Sequence, residues 1–183
     1  MKVIVESPFK NKDENLRNEN LIYLNVVFRR LAIKEGKSPL AFHSLYTQFL
    51  DDNDDFERKL GLDLSFTHHP DSECKLVAID RGMSHGIALG IIDAIEKDMP
   101  VYYFTLCSEE TEVAQRIKEI NEIEDNKERS NVAMDYIASL GSIGALNDFG
   151  DFTDYREYCV EETETVKKVI NKFFAPLVEY INE

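Results

Sequence analysis

The chain is short of basic charge, of cysteine and of long apolar runs. Lys and Arg number 21 against 35 Asp and Glu, a formal net charge of −14. Nonspecific binding to DNA, RNA or anionic membranes needs clustered cations, so nucleic acid and membrane are excluded as partners. A small anionic ligand is not excluded, because local donors overcome a mean negative field. The three cysteines, Cys74, Cys107 and Cys159, stand far apart, with no CxxC and no Cys/His cluster at zinc spacing. No metal and no cofactor is expected, and reduced thiols in a cytoplasmic setting are the simplest reading. The first apolar run, Val3 to Val5, meets Glu6 at once. It is too short for a signal peptide or a membrane span. There is no internal repeat and no low-complexity linker.

What is present is an alternation of short apolar runs with helical periodicity. Val3–Val5 reads as a buried strand that ends in a turn, Glu6 to Phe9. A helix is expected over 15–35, where Leu21, Leu24, Phe28 and Leu31 recur at helical spacing and Gly36 is a natural C-cap. Pro39 to His43 reads as a second strand. The acidic stretch Asp51 to Asp55 reads as a solvated loop and cap for a helix over about 54–68. It lacks EF-hand spacing, and His68-His69-Pro70 ends that helix. Leu76–Ile79 is a third strand, residues 84–97 a helix, and Pro100 to Thr105 a fourth strand. The pattern predicts one α/β domain, Rossmann-like, with a mainly parallel sheet of four or five strands and helices on both faces.

The most informative stretch runs from Lys75 to Gly90. An apolar strand ends on Asp80, and a turn with Gly82, Ser84 and Gly86 leads into a helix. In open α/β sheets ligands bind beyond such strand ends. Glycines permit close backbone approach, and Ser84 is a good N-cap. Free N–H groups at the helix start can hold a phosphate or carboxylate. An ordinary βα turn is the bland alternative.

The ordered set of pieces resembles the nucleoside 2-deoxyribosyltransferase-like superfamily, small Rossmann-like proteins that cleave or recognise N-glycosidic nucleosides and nucleotides. The likeness rests on Ser7-Pro8-Phe9 after the first strand and on His43 to Gln48 after the second. It rests also on Asp80-x-Gly82-x-Ser84-x-Gly86 after the third and on Pro100-Val101 opening the fourth. More closely the chain looks like an uncharacterised branch, often bacterial or phage-encoded. The resemblance covers residues 1–106, a Rossmann-like nucleotide-binding core; residues 107–183 would be a helical extension packed on that core or at a dimer interface. In the transferases the helix after the glycine loop carries a nucleophilic glutamate. Counted from Gly86, it falls on Gly90. The nearest carboxylate on the helix is Asp93.

These residues imply a ligand site made of Ser7, Pro8, Phe9, His43, Tyr46, Gln48, Asp80, Arg81, Gly82, Ser84, His85, Gly86 and Gly90, in the cleft between the first and third strands. Tyr46 and Gln48 would meet a base, or Tyr46 would pack under a loop. Asp80 would bond a ribose hydroxyl or cap its turn. Arg81 and His85 would face a phosphate or solvent. His43 would be a donor or a structural residue. The expected function is binding of a nucleotide or ribose-phosphate ligand without turnover, as in sequestration of a nucleotide signal by a phage protein. The alternative is an N-glycosidase or deoxyribosyltransferase with a displaced carboxylate, Asp93 or one from a partner chain. The final helix, about 157–182, carries Val166, Val169, Ile170, Phe173, Phe174, Leu177 and Ile181 on one stripe, with Pro176 as a possible kink. That stripe predicts a homodimer or higher homo-oligomer.

Overall fold

A computed structural model describes residues 1–141, 153 and 155–182, with the side chains of 173–182 excepted. Four strands form one sheet: β1 (Lys2–Glu6), β2 (Ser38–Leu40), β3 (Cys74–Ala78) and β4 (Val101–Phe104). Their order is β2-β1-β3-β4 and every pairing is parallel. The expected α/β class and parallel sheet are therefore observed, and β1 and β3 are the neighbouring central strands. The chain leaves β1 toward β2 on one side and reaches β3 and β4 on the other. The β1/β3 boundary is thus the switch point of the sheet.

Pleating sorts the strand residues to two apolar faces. On one face Val3, Val5, Leu76 and Ala78 pack under α1 (Glu14–Glu35), which contributes Tyr23, Leu24, Val27 and Leu31. Asp13 starts α1 by accepting from the Asn15 and Leu16 amides, a cap worth about 1 kcal/mol. Gly36 ends it at φ +61°, a left-handed position that favours glycine. The short α7 (Tyr155–Tyr158) and the long α8 (Val160–Asn182) lie on this side, where Tyr155 and Val166 are buried and Ile170 is packed against the same core. Arg30 of α1 donates to Glu162 of α8 across that contact, at 3.1 Å.

The other face carries Ile4, Val77, Ile79, Val101 and Tyr103. It is covered by α4 (His85–Glu96), α5 (Glu112–Asn121) and α6 (Asn126–Leu140), through Ile87, Ile91, Ala94, Ile117, Ile120, Ala133 and Ile137. The open edge of β4 is closed by two side-chain amides. Asn121 both accepts from and donates to the Tyr103 backbone, at 2.9 and 2.8 Å. Asn126 accepts from the Val101 amide at 2.8 Å and donates to the Met99 carbonyl at 2.9 Å. An unpaired edge is a template for unwanted pairing, and these contacts blunt it.

Over β1 and β2 this second face is roofed by α2 (Phe42–Tyr46) and α3 (Asp55–Phe66). Here the structure departs from the expected second strand over Pro39 to His43: β2 stops at Leu40. The helix wins because local side chains satisfy its backbone. Ser44 Oγ donates to the Ala41 carbonyl at 2.9 Å, Thr47 Oγ1 donates to the His43 carbonyl at 2.8 Å, and Phe42 is buried. In the sequence Gly141, Gly144 and Gly150 read as breaks, and the last two lie outside the described residues. So do the side chains of Phe173, Phe174, Pro176, Leu177 and Ile181. No helix among the described residues is long and apolar enough to cross a membrane.

Candidate functional site

The roof of α2 and α3 does not close on the sheet. Between them lies an open-mouthed cavity of about 110 Å³. β1 supplies Ile4, Glu6 and the Ser7 that follows it; β3 supplies Lys75; the start of α4 supplies Ser84, Gly86 and Ile87. Phe42, His43 and Tyr46 come from α2, and Arg58, Ser65 and Phe66 from α3. The cavity thus opens at the switch point but extends back along the sheet face as far as mid-strand.

Its floor is charged. Lys75 sits in the middle of an apolar strand, 1% exposed, and its Nζ donates to Glu6 Oε1 at 2.7 Å. Isolated, either charge would be costly there; together they neutralise one another. The pair stands directly over Gly90. A Cβ at Gly90 would come within 2.8 Å of Glu6 Oε1 and 2.9 Å of Lys75 Nζ. Absence of a side chain on α4 is what makes room for a carboxylate from β1.

Two imidazoles flank this floor. His43 Nε2 lies 3.3 Å from Ser7 Oγ, and its Nδ1 lies 3.9 Å from Glu6 Oε2. Burial, with Lys75 nearby, holds the His43 pKa below its ordinary value against the pull of Glu6, so the ring is neutral at pH 7. His69 is buried, and its Nδ1 lies 2.8 Å from Asp93 Oδ2. Burial and Lys75 outweigh the attraction of Asp93 and lower the His69 pKa to about 4. The walls are aromatic: Phe9 meets His43 edge-on at 5.8 Å, and Phe42 stacks at 6.2 Å on Tyr46 and at 4.2 Å on His68.

Six of the expected site residues line this cavity: Ser7, Phe9, His43, Tyr46, Ser84 and Gly86. Gly90 lies beneath its floor. The others serve elsewhere. Asp80 is fully buried and accepts from Tyr23 and the Leu106 amide through Oδ2, and from Thr105 and Thr153 through Oδ1. It ties β3 to α1 and to the segments after β4. Burial pushes its pKa up, and those four hydrogen bonds pull against the rise. Arg81 is buried too, donating from Nε to Asn20 Oδ1 at 2.7 Å and pairing with Glu19. Gly82, at φ +78°, makes the turn that brings α4 to the cavity. Pro8 is buried, and neither it nor the exposed Gln48 and His85 lines the cavity. Asp93 lies beside the neutral His69 ring and pairs with Lys97 at 2.9 Å.

Sequence reasoning missed Glu6, Lys75 and His69. A lysine inside an otherwise apolar central strand was the available signal, since such strands are buried on both sides. Nothing local marked His69. The acidic stretch was read as loop and cap, and Asp54 does cap α3 by accepting from the Phe56 and Glu57 amides. Asp52, in the same stretch, faces the cavity.

No curated protein and no solved structure matches the chain. A family model described as a domain of unknown function, DUF7768, matches residues 1–104, a span that holds the whole sheet and the residues named above as lining the cavity. That is more than half of the 183 residues, and the chain belongs to the DUF7768 family.

Proposed function

We propose that the chain binds a nucleotide or ribose-phosphate ligand in this cavity. One observation carries the reading: aromatic faces and the half-buried Glu6 carboxylate converge on one cavity at the switch point of the sheet. A planar base can lie against Phe42, Tyr46 or Phe66. Glu6, held in place by Lys75, offers its second oxygen to ribose hydroxyls through charge-assisted bonds. The resemblance to nucleoside 2-deoxyribosyltransferase-like proteins points to the same ligand class. Retention without turnover, as in sequestering a nucleotide signal, follows from Gly90 standing where those enzymes place their glutamate.

Calorimetry against a panel of nucleosides and nucleotides tests the binding. At least one member is expected to bind, with affinity lost in Gly86→Val. A Cβ at Gly86 meets only Ser84 Oγ at 3.8 Å, so the fold tolerates the change while the branched side chain enters the cavity. Binding by no member, or equal binding by the variant, overturns the reading.

The position of Glu6 favours a second reading, cleavage of an N-glycosidic bond by a displaced carboxylate. If the bond is cleaved, Glu6 is the candidate carboxylate, because Asp93 does not line the cavity, Asp52 is paired with Arg58, and Glu57 accepts from the Asp51 amide. Mass spectrometry separates the two readings. Intact ligand recovered after extraction supports retention. Free base, produced by the unmodified protein and by Asp93→Asn but not by Glu6→Gln, supports cleavage.

A further inference from the structure

We infer that Lys10 and Arg58 form an anion subsite at the mouth of the cavity, and that Asp52 occupies it in place of a ligand's phosphate or pyrophosphate group. The inference rests on the nucleotide reading above and assigns one end of that ligand. Lys10, Asp52 and Arg58 all line the cavity and come from three chain segments. Arg58 Nη1 lies 2.8 Å from each Asp52 carboxylate oxygen. Lys10 Nζ donates to the Asp52 carbonyl at 2.5 Å and lies 3.4 Å from Oδ2. Two cations therefore share one carboxylate.

The remaining charges near the cavity are committed. Lys75 belongs to Glu6 on the floor. Glu57 accepts from the Asp51 amide at 2.7 Å and so braces the loop that carries Asp52. Arg81, the phosphate partner expected from sequence, is 1% exposed and faces Asn20 and Glu19. The Lys10 and Arg58 side chains are 44% and 33% exposed. Ion pairs in such wet positions hold weakly and exchange readily. A phosphate group brings a second charge and three acceptor oxygens, against one charge and two oxygens on Asp52. It can displace the carboxylate without leaving either cation unpaired.

Inorganic pyrophosphate is the probe, because it has neither base nor sugar. Titrated calorimetrically at low ionic strength, Asp52→Asn should bind it about tenfold tighter than the unmodified protein, the effect of removing one competing charge-assisted contact. Adding Arg58→Gln to Asp52→Asn should remove the gain. Equal affinities for the unmodified protein and Asp52→Asn, or a gain that survives Arg58→Gln, overturns the subsite. A second measurement needs no variant. Pyrophosphate should slow acylation of the Lys10 amine in the unmodified protein and leave that of exposed Lys12 unchanged, read by peptide mass spectrometry. Unchanged labelling at both lysines overturns the subsite as well. A nucleoside that binds while pyrophosphate does not would remove the subsite and leave the cavity reading standing.

Discussion

Glu6 fills the space that a side chain on Gly90 would occupy: its Oε1 lies 2.8 Å from an ideal Cβ there. The glycine and the carboxylate are thus one feature, written 84 residues apart. Gly90→Ala should gain about 1 kcal/mol of helix propensity yet lose more by overpacking, about 1–3 kcal/mol. The net effect is destabilisation, measured by urea unfolding. Glu6→Ala is itself destabilising, because it strips Lys75 of its counter-charge. In that background Gly90→Ala should cost less, since Oε1 is gone and only Lys75 Nζ, 2.9 Å from the Cβ, has to shift. Additive costs in this double-mutant cycle would place the clash elsewhere.

The Glu6–Lys75 pair should show the asymmetry of buried ions. Glu6→Gln leaves the Lys75 ammonium, 1% exposed, without its counter-charge. A loss of about 3 kcal/mol is expected. Glu6→Gln combined with Lys75→Met removes both charges and should recover most of that loss. Equal unfolding free energies for the single and double variants would show that the pair does not neutralise itself as its geometry indicates.

The sheet was legible because its signals are local. Val3–Val5 and Leu76–Ile79 are apolar runs bounded by turn residues, and Gly36, Ser84 and Asp54 mark helix ends by backbone chemistry that depends on neighbours alone. The site was legible only in part. Ser7 sits at a strand end, where pattern points, and His43 in the short helix that follows another strand. Glu6 and Lys75 acquire their meaning from each other and from Gly90, and only the sheet register Ile4↔Lys75 brings the two strands' residues together. Asp80 shows the opposite error. A carboxylate at the end of a buried strand reads as a ligand contact, but four donors from distant segments claim it, and no local pattern announces them.

Asp80→Asn should therefore damage folding and not just binding. The carboxylate accepts from two threonines, a tyrosine and a backbone amide. An amide group turns one acceptor oxygen into a donor facing some of those donors. A loss of about 2–3 kcal/mol is expected from the unmade bonds in a buried setting. Thermal unfolding checks it. Unchanged stability with lost ligand binding would return Asp80 to the ligand site.

Self-association through α8 is the next expectation. Val166 and Ile170 are used within the chain, against the core under α1. Val169, on the same stripe, is 49% exposed. A second copy is the simplest cover for such a stripe, since symmetric dimers are the commonest assembly. Light scattering at micromolar concentration should give a mass near twice that of the 21.1 kDa chain, reduced by Val169→Glu. A mass of one chain for the unmodified protein would dismiss the dimer.

His69 should make the fold acid-sensitive. Its folded-state pKa is lowered to about 4 by burial and by Lys75, against the attraction of Asp93, with Lys97 lowering it and Glu6 raising it further off. In the unfolded chain an imidazole titrates near 6.5. Between those values the unfolded state takes up a proton that the folded state refuses, so stability is full above about pH 6.5 and falls as pH drops toward 4. The shift corresponds to a loss on the order of 3 kcal/mol across that window. His43, also lowered, acts in the same direction. Asp80, whose pKa is raised, acts in the opposite one and gains stability as it protonates. The contribution of His69 is therefore a difference between two curves. Urea unfolding of the unmodified protein and of His69→Gln, measured from pH 7.5 down to 4, should diverge: the variant starts less stable and loses less on acidification. Parallel curves would show that the His69 ring titrates alike in both states, and that the cavity floor is wetter than its burial implies.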